Sequence, residues 1–357
     1  MRHAVTPYGR GAGSSRVRVH SWLDRFAEPV EVHSYLGRHN AAPRQLLRHP
    51  GHVLSAERTL RRLARQRPDR LLLHREASPL SRGGLEAALL TSAAFGVYDF
   101  DDALHCDFGG NTPWRRLVPK APKALAAVRR ADRVIAGNDI LAEWAVQHAR
   151  DVVVIPSCVA VEDYATKQSY GLSDPPRLGW IGSADNEPML LAVAPALWEV
   201  HRRSGARLTL VGTSRSTLGS LERIVDRVPW TERTQHAVLA GIDVGLMPLH
   251  DDPYSRGKCG YKLLQYAAAG VPAVGSPVGA NGTVLASLGF FAANSLQDWT
   301  DALCWLIEGL DSERARVGSH AVAQVAEQYS YDAWLDRWQQ ATEFGRDRTA
   351  AWVGESR

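Results

Sequence analysis

Residues 243–281 read DVGLMPLHDDPYSRGKCGYKLLQYAAAGVPAVGSPVGAN: an apolar strand, a polar loop with two lysines, a short helix and a second apolar strand. A run of this kind is the building unit of an α/β fold, which sets such loops at the carboxyl edge of its sheet, where ligands bind. Lys258 and Lys262 in the loop point to an anionic ligand. Gly257 and Gly260 lie beside them; small residues let backbone amides approach a ligand, and a helix amino end favours an anion. Two lysines can also form a solvated surface pair. Their position soon after a buried strand, with SPVG at 276–279 closing the next strand, favours the ligand site and an enzyme over a scaffold.

Outward from this stretch the alternation continues in both directions. Towards the amino end, strands are expected at 207–211 and 178–181, the latter ending in GSADN at 182–186, with another over 222–228 and a helix from Thr231. Periodicity lapses over 159–176, where GLSDPP at 171–176 reads as a linker. Before it the pattern resumes, with strands at 3–7, 70–74, 94–98, 133–136 and 151–155 and helices at 55–67 and 122–130. Val19, Trp22, Leu23 and Phe26 recur at helical spacing after the small-residue loop GRGAGSS at 9–15. Beyond Phe290 the chain turns helical, near 296–308, 313–328 and 331–344. Strands alternating with helices imply parallel sheets covered on both faces. The expected organisation is a Rossmann-like domain at 1–158, a linker at 159–176, a second Rossmann-like domain at 177–328, and a tail at 329–357 that packs back toward the first domain. Two such domains make a cleft, the usual place for a site.

A chain of 357 residues exceeds the size at which one core stops growing, and 45% hydrophobic residues with eleven tryptophans suffice for two. The net charge of +4 is mild, although arginines concentrate at 44, 48, 58, 61, 62, 65, 67 and 70. No aromatic interleaving or nucleic-acid motif accompanies them, so they read as a solvated helix face, and no nucleic-acid partner is expected. Cys106, Cys158, Cys259 and Cys304 lack paired spacing and are expected as free thiols of a reducing compartment. No long apolar segment follows the basic start, so neither a signal peptide nor a membrane span is expected, and a cytoplasmic location is. Oligomeric state is not legible.

The glycine loop is neither a phosphate-binding P-loop nor a dinucleotide fingerprint: its spacing is GxGxG, and no suitably placed acid follows a second strand. Asp99, Asp101 and Asp102 form an acidic cluster that could bind a divalent metal or cap the next helix; no metal is assigned.

Taken together, SRVR at 15–18, HRE at 74–76, YDFDD at 98–102, ADRVIAGN at 131–138, VIP at 154–156, DVGLMP at 243–248 and RGKCGYKLLQY at 256–266 resemble the landmarks of retaining glycosyltransferases of the GT-B fold, specifically the large bacterial family 4. The resemblance implies two facing Rossmann-like domains, and transfer of a sugar from a UDP- or GDP-sugar with retention of configuration. It implies no obligatory cofactor or metal. The donor diphosphate would rest against Lys258, Gly260, Tyr261 and Lys262, with Gly182 and Ser183 beside it and Gly11 and Gly13 approaching from the first domain. Val228 and Trp230 would meet the base, and Gln265 a ribose hydroxyl.

Relatives commonly carry two glutamates eight positions apart where this chain has Gly257 and Gln265, so the donor sugar must be held differently. An amide also binds a hydroxyl less strongly than a carboxylate does. Catalytic roles fall to Lys258 and Lys262, which would stabilise charge growing on the β-phosphate, and to Asp99 or Asp101 near the transferred sugar, with Asp101 preferred. Arg16, His74, Arg75, Glu76 and His105 would line the acceptor pocket. The acceptor expected first is a soluble small molecule of natural-product biosynthesis; the alternatives are a membrane lipid or envelope glycan. A nucleotide-sugar epimerase or hydrolase and a non-catalytic sugar-nucleotide binder remain as rival classes.

Overall fold

A computed structural model describes residues 1–35, 37, 43–108, 116–212, 217–229, 231 and 238–345. Two compact units divide them: Met1–Ser157 together with Trp334–Arg357, and Cys158–Ala333. Each unit is built on a six-stranded, wholly parallel sheet.

In the first unit β1 (Arg2–Thr6), β2 (Glu31–Ser34), β3 (Arg70–His74), β4 (Phe95–Phe100), β5 (Arg133–Ala136) and β6 (Val152–Val154) lie in the order β2-β1-β3-β4-β5-β6. The central strands are continuous apolar runs because both of their faces are covered: Leu71, Leu72 and Leu73 are all fully buried. Residues 13–23 are helical, with a π-helical middle at Arg16–His20, and they bury Val17, Val19 and Trp22. The helix expected from residue 55 begins five residues earlier: Pro50–Gln66 opens on a proline whose missing N–H costs nothing there. It turns Leu60 and Leu63 inward and leaves Arg58, Arg61, Arg62 and Arg65 exposed, the solvated face expected of the arginine cluster. Asn138 caps the Asp139–Ala145 helix, its Oδ1 accepting from the Leu141 amide at 3.0 Å.

The last helix, Tyr331–Thr342, supplies Trp338, which stacks on Trp22 with centroids 5.4 Å apart and planes 5° from parallel. Phe344 meets Trp338 edge-on at 5.7 Å, and Glu343 pairs with Arg70 at 3.0 Å. These contacts tie the chain's last described residues into the first unit.

In the second unit β7 (Arg177–Ile181), β8 (Arg207–Val211), β9 (Val225–Val228), β10 (Val244–Met247), β11 (Ala273–Gly275) and β12 (Phe291–Ala292) lie in the order β12-β11-β10-β7-β8-β9. Separate apolar clusters cover the two faces of this sheet: Leu263, Leu264 and Leu285 belong to one, Leu197, Leu208 and Leu303 to the other. The strand expected over 222–228 starts only at Val225, because Gly219–Ile224 is a 3-10 turn. The helix expected from Thr231 falls largely outside the described residues.

Residues 159–176, read from sequence as a linker, pack into this second unit. Val159 donates to the Tyr329 carbonyl at 2.9 Å, Tyr164 joins the core, and Lys167 Nζ donates to the Ile242 carbonyl at 2.9 Å. Buried Asp243 accepts from the amides of Ser173 at 3.1 Å and Arg177 at 2.8 Å. This stretch lacks periodicity because polar anchors, rather than a repeating apolar face, hold it down. All four cysteines are free thiols, and among the described residues no helix is long and apolar enough to cross a membrane.

Candidate functional site

In the second sheet the chain runs from β7 outward through β8 and β9, then returns to β7's other side as β10. The loops after β7 and β10 therefore flank a topological switch point, where an open parallel sheet binds its ligand. The β7 loop carries Gly182 and Ser183; the β10 loop carries Lys258 and Lys262.

The structure brings these residues together. A Cβ on Gly182 would lie 3.0 Å from Lys262 Cε and 2.5 Å from Trp180 Cη2, so only glycine lets the lysine stem cross here. Lys262 Nζ sits over the Trp180 ring, 5.2 Å from its centroid, a cation–π contact that positions the ammonium. Lys258 Nζ lies 5.1 Å from the Tyr254 centroid and 3.4 Å from Asn186 Oδ1, a neutral partner at the end of the β7 loop. Asp252 caps the short Pro253–Arg256 helix, accepting from the amides of Tyr254 and Ser255, both at 2.9 Å, and so orients Tyr254. Ser183 is exposed beside them.

Gly260, at a φ of +63°, is the N-cap of the Tyr261–Ala268 helix. A Cβ there would stand 3.0 Å from Asn281 Oδ1. Asn281 is fully buried, its Nδ2 donates to the Ser276 carbonyl at 3.1 Å, and its Oδ1 has no hydrogen-bond partner among the described residues. Gly279, at a φ of +55°, brings the loop after β11 against the lysine loop so closely that a Cβ would fall 2.2 Å from the Arg256 carbonyl oxygen. Two loops are thereby locked around the amino end of one helix. Tyr261 is half-buried at the helix start, and Gln265 is buried with Nε2 donating to the Tyr164 hydroxyl at 3.1 Å. The Val228 carbonyl, expected near a base, accepts from the Gly212 amide at 3.1 Å and so belongs to the sheet. Trp230 lies outside the described residues.

The first sheet has its own switch point between β1 and β3, and here the structure corrects the sequence reading. β4 runs to Phe100, two residues beyond the expected end, so Asp99 is a strand residue turned inward. It is fully buried; Arg18 Nε donates to its Oδ1 at 3.1 Å, Arg18 Nη2 grips the other oxygen, and His74 Nδ1 lies 2.8 Å from Oδ1. Arg18 Nη1 also donates to the carbonyls of Ile155 and Pro156, each at 2.9 Å. Burial alone would raise the Asp99 pKa, but Arg18 and His74 outweigh it and hold the carboxyl below its ordinary value. Asp101 accepts from Arg75 Nε at 2.7 Å, while Arg75 Nη2 takes Asp102. Burial opposes the Asp101 charge, yet Arg75 and then His74 drive its pKa well below the usual carboxylate range. Carboxylates held this far down are poor proton acceptors. Asp99 and Asp101, expected from sequence near the transferred sugar, are thus both held as anions, Asp99 by Arg18 and His74 and Asp101 by Arg75.

The residues expected to line an acceptor pocket are engaged in the same fabric. Arg75 has a φ of +61°, a conformation a non-glycine residue holds only when its surroundings demand it, and its amide donates to the Asp99 carbonyl at 2.9 Å. Glu76 pairs with buried Lys123 at 2.6 Å. His105 stacks on Trp144, centroids 4.3 Å apart, and burial followed by His148 lowers its pKa. Arg16 is buried. His74 Nε2 is buried without a hydrogen-bond partner among the described residues. Gly11 and Gly13 are exposed, and a Cβ on either would meet nothing within 4 Å. Packing within the first unit therefore does not require glycine at either position.

Sequence reasoning missed Trp180, Tyr254 and Asn186 as parts of the second-unit site; Asn281 closes the 276–281 loop that the family resemblance sets beside the donor sugar. Of the three missed, only Asn186 carried a signal, as the last residue of the GSADN turn.

Comparison with known proteins adds to this geometry. Residues 175–309 match the family model described as glycosyl transferases group 1. No curated protein matches the chain. Among solved structures, HepE of Anabaena in complex with UDP and glucose superposes with a TM-score of 0.68 at 15% identity, covering 96% of this chain and 98% of HepE. An α,α-trehalose-phosphate synthase (UDP-forming) from Burkholderia vietnamiensis gives 0.63 at 12% identity, with 96% and 100% covered. TarM gives 0.60 at 14% identity over 79% of this chain; the chain spans only 57% of TarM's length. With two parallel six-stranded sheets in place, these likenesses give the chain the GT-B architecture of two Rossmann-like domains.

Proposed function

We propose that this protein is a glycosyltransferase of family 4 type, moving a hexosyl group from a nucleoside-diphosphate sugar, UDP-linked first, to a soluble small-molecule acceptor with retention of configuration. The observation that carries this reading is that Lys262 crosses Gly182 and Lys258 meets Asn186, which brings both lysines to the loop after β7 at the switch point of the second sheet. The match of residues 175–309 to a glycosyltransferase family model supports the reaction class, and the UDP of the HepE complex supports the donor base.

As the anomeric bond breaks, negative charge grows on the β-phosphate leaving group. Two ammonium groups held by aromatic rings and a neutral amide, beside a helix amino end, are pre-organised for that charge and need no reorientation during the reaction. Gln265 and the Tyr164 hydroxyl would meet the ribose. With Gly257 in place of a glutamate, the sugar hydroxyls fall to loop amides and to Asn281 Oδ1, a buried acceptor in want of a donor. The first domain holds its loops through Arg18, His74 and Asp99. A cytoplasmic location and the absence of an obligatory metal belong to the same proposal.

Calorimetric titration of the full chain with UDP, GDP, UDP-glucose and GDP-mannose tests it. UDP is expected to bind, and Lys262→Ala or Lys258→Ala to weaken it roughly 10- to 150-fold, the loss of one charge-assisted contact worth about 1.5–3 kcal/mol. Failure of every nucleotide to bind at millimolar concentration would sink the proposal.

A further inference from the structure

β1 and β2 are paired in parallel with His3 opposite Glu31 and Val5 opposite His33. Side chains two apart on a strand share a face, so Glu31 and His33 project together, next to His3. Among the described residues these three form a group whose donor atoms all lie within 4.8 Å of one another. His3 Nδ1 is 3.1 Å from His33 Nε2; Glu31 Oε2 is 3.4 Å from His3 Nδ1, and Oε1 is 3.6 Å from His33 Nε2. Zinc bonds of about 2.0–2.1 Å at tetrahedral angles separate ligand atoms by about 3.3–3.4 Å, close to the 3.1 Å between the two nitrogens and the 3.4 Å from Glu31 Oε2 to His3 Nδ1.

We propose that His3, Glu31 and His33 bind one Zn²⁺ ion as a three-ligand site, far along the chain from the lysines of the second domain and independent of the transfer reaction. A bare hydrogen bond between two neutral imidazoles accounts for the 3.1 Å contact but not for a carboxylate within ligand distance of both nitrogens. His3 is buried and fixed by the sheet, His33 is half-buried, and the Glu31 side chain is 65% exposed. The exposed side of Glu31 leaves a fourth position open to water and gives the ion a way in. Two imidazoles and one carboxylate suit zinc better than calcium or magnesium, which want all-oxygen shells. The ion would clip the short edge strand β2 onto β1.

The test uses the full chain stripped with a chelator, titrated with ZnCl₂ against a chromophoric competitor and, separately, with CoCl₂ followed in the visible. One equivalent of Zn²⁺ is expected, with Co²⁺ bands of four-coordinate intensity and an unfolding midpoint a few degrees higher. His33→Ala, at a half-buried edge-strand position, and Glu31→Gln, at an exposed one, are expected to weaken binding at least tenfold. A Cys106→Ser/Cys259→Ser variant is expected to bind as the parent does. No saturable binding, one equivalent surviving His33→Ala, or binding lost with the two thiols would each overturn the assignment.

Discussion

Replacing Asp99 by asparagine separates a structural anion from a catalytic one. In the folded chain this carboxylate lies fully buried between Arg18 and His74, and Arg18 makes two further bonds to the Ile155 and Pro156 carbonyls. Asparagine keeps the shape and removes the charge, which leaves the Arg18 guanidinium uncompensated inside the domain. Breaking one partner of a buried ion pair costs about 3–5 kcal/mol. For a domain of this size each kcal/mol moves the unfolding midpoint by roughly 2–4 °C, so the first domain should melt about 6–20 °C lower. A double variant, Arg18→Met with Asp99→Leu, should recover much of the loss, since an apolar pair replaces the ion pair without stranding a charge. Differential scanning calorimetry at pH 7 reads both, and UDP titration below the lowered midpoint should return parental affinity, because Lys258 and Lys262 lie in the other unit. An unchanged midpoint in Asp99→Asn would refute the structural role. So would a double variant that melts no higher than the single one.

Gly182→Ala puts a methyl group 2.5 Å from Trp180 Cη2 and 3.0 Å from Lys262 Cε; displacement of both should weaken UDP binding about tenfold, with a stability cost of about 1–3 kcal/mol, by calorimetry. Gly279→Ala should destabilise the second domain by more than 1 kcal/mol, since a Cβ falls 2.2 Å from a backbone oxygen at a φ of +55°; urea denaturation reads it. Acid should unfold the first domain. Asp99 and Asp101 have folded pKa values below their unfolded ones, so their contribution is complete above about pH 4 and is lost as pH falls through the lowered folded values. An acid titration of Asp99→Asn followed by tryptophan fluorescence should show a shallower dependence in that window.

The sheets were legible because parallel strands bury both faces and read as unbroken apolar runs, as at Leu71, Leu72 and Leu73 or in RLTLV at β8. β2 was not legible: EVHS is a polar edge strand with nothing to distinguish it from a loop. The lysine loop stood out because charge follows a buried strand directly. Its supports did not, since Asn186 lies 72 residues from Lys258 and only the fold joins them. The partners of Asp99 were hidden for the same reason. An aspartate near a strand's carboxyl end looks available for chemistry until Arg18, 81 residues earlier, is found against it.

The stacking of Trp338 on Trp22 has a consequence for how the protein is made. The second unit is one uninterrupted segment, whereas the first is assembled from both ends of the described chain. A ribosome releases Trp22 early and Trp338 only after every residue of the second unit, so the first sheet waits, with an indole-sized gap in its cover, for its closing helix. The usual amino-to-carboxyl order of domain maturation is thereby reversed at the last step. A stop codon after residue 333 would leave the segment that bears Lys258 and Lys262 whole and deprive the other domain of its final layer.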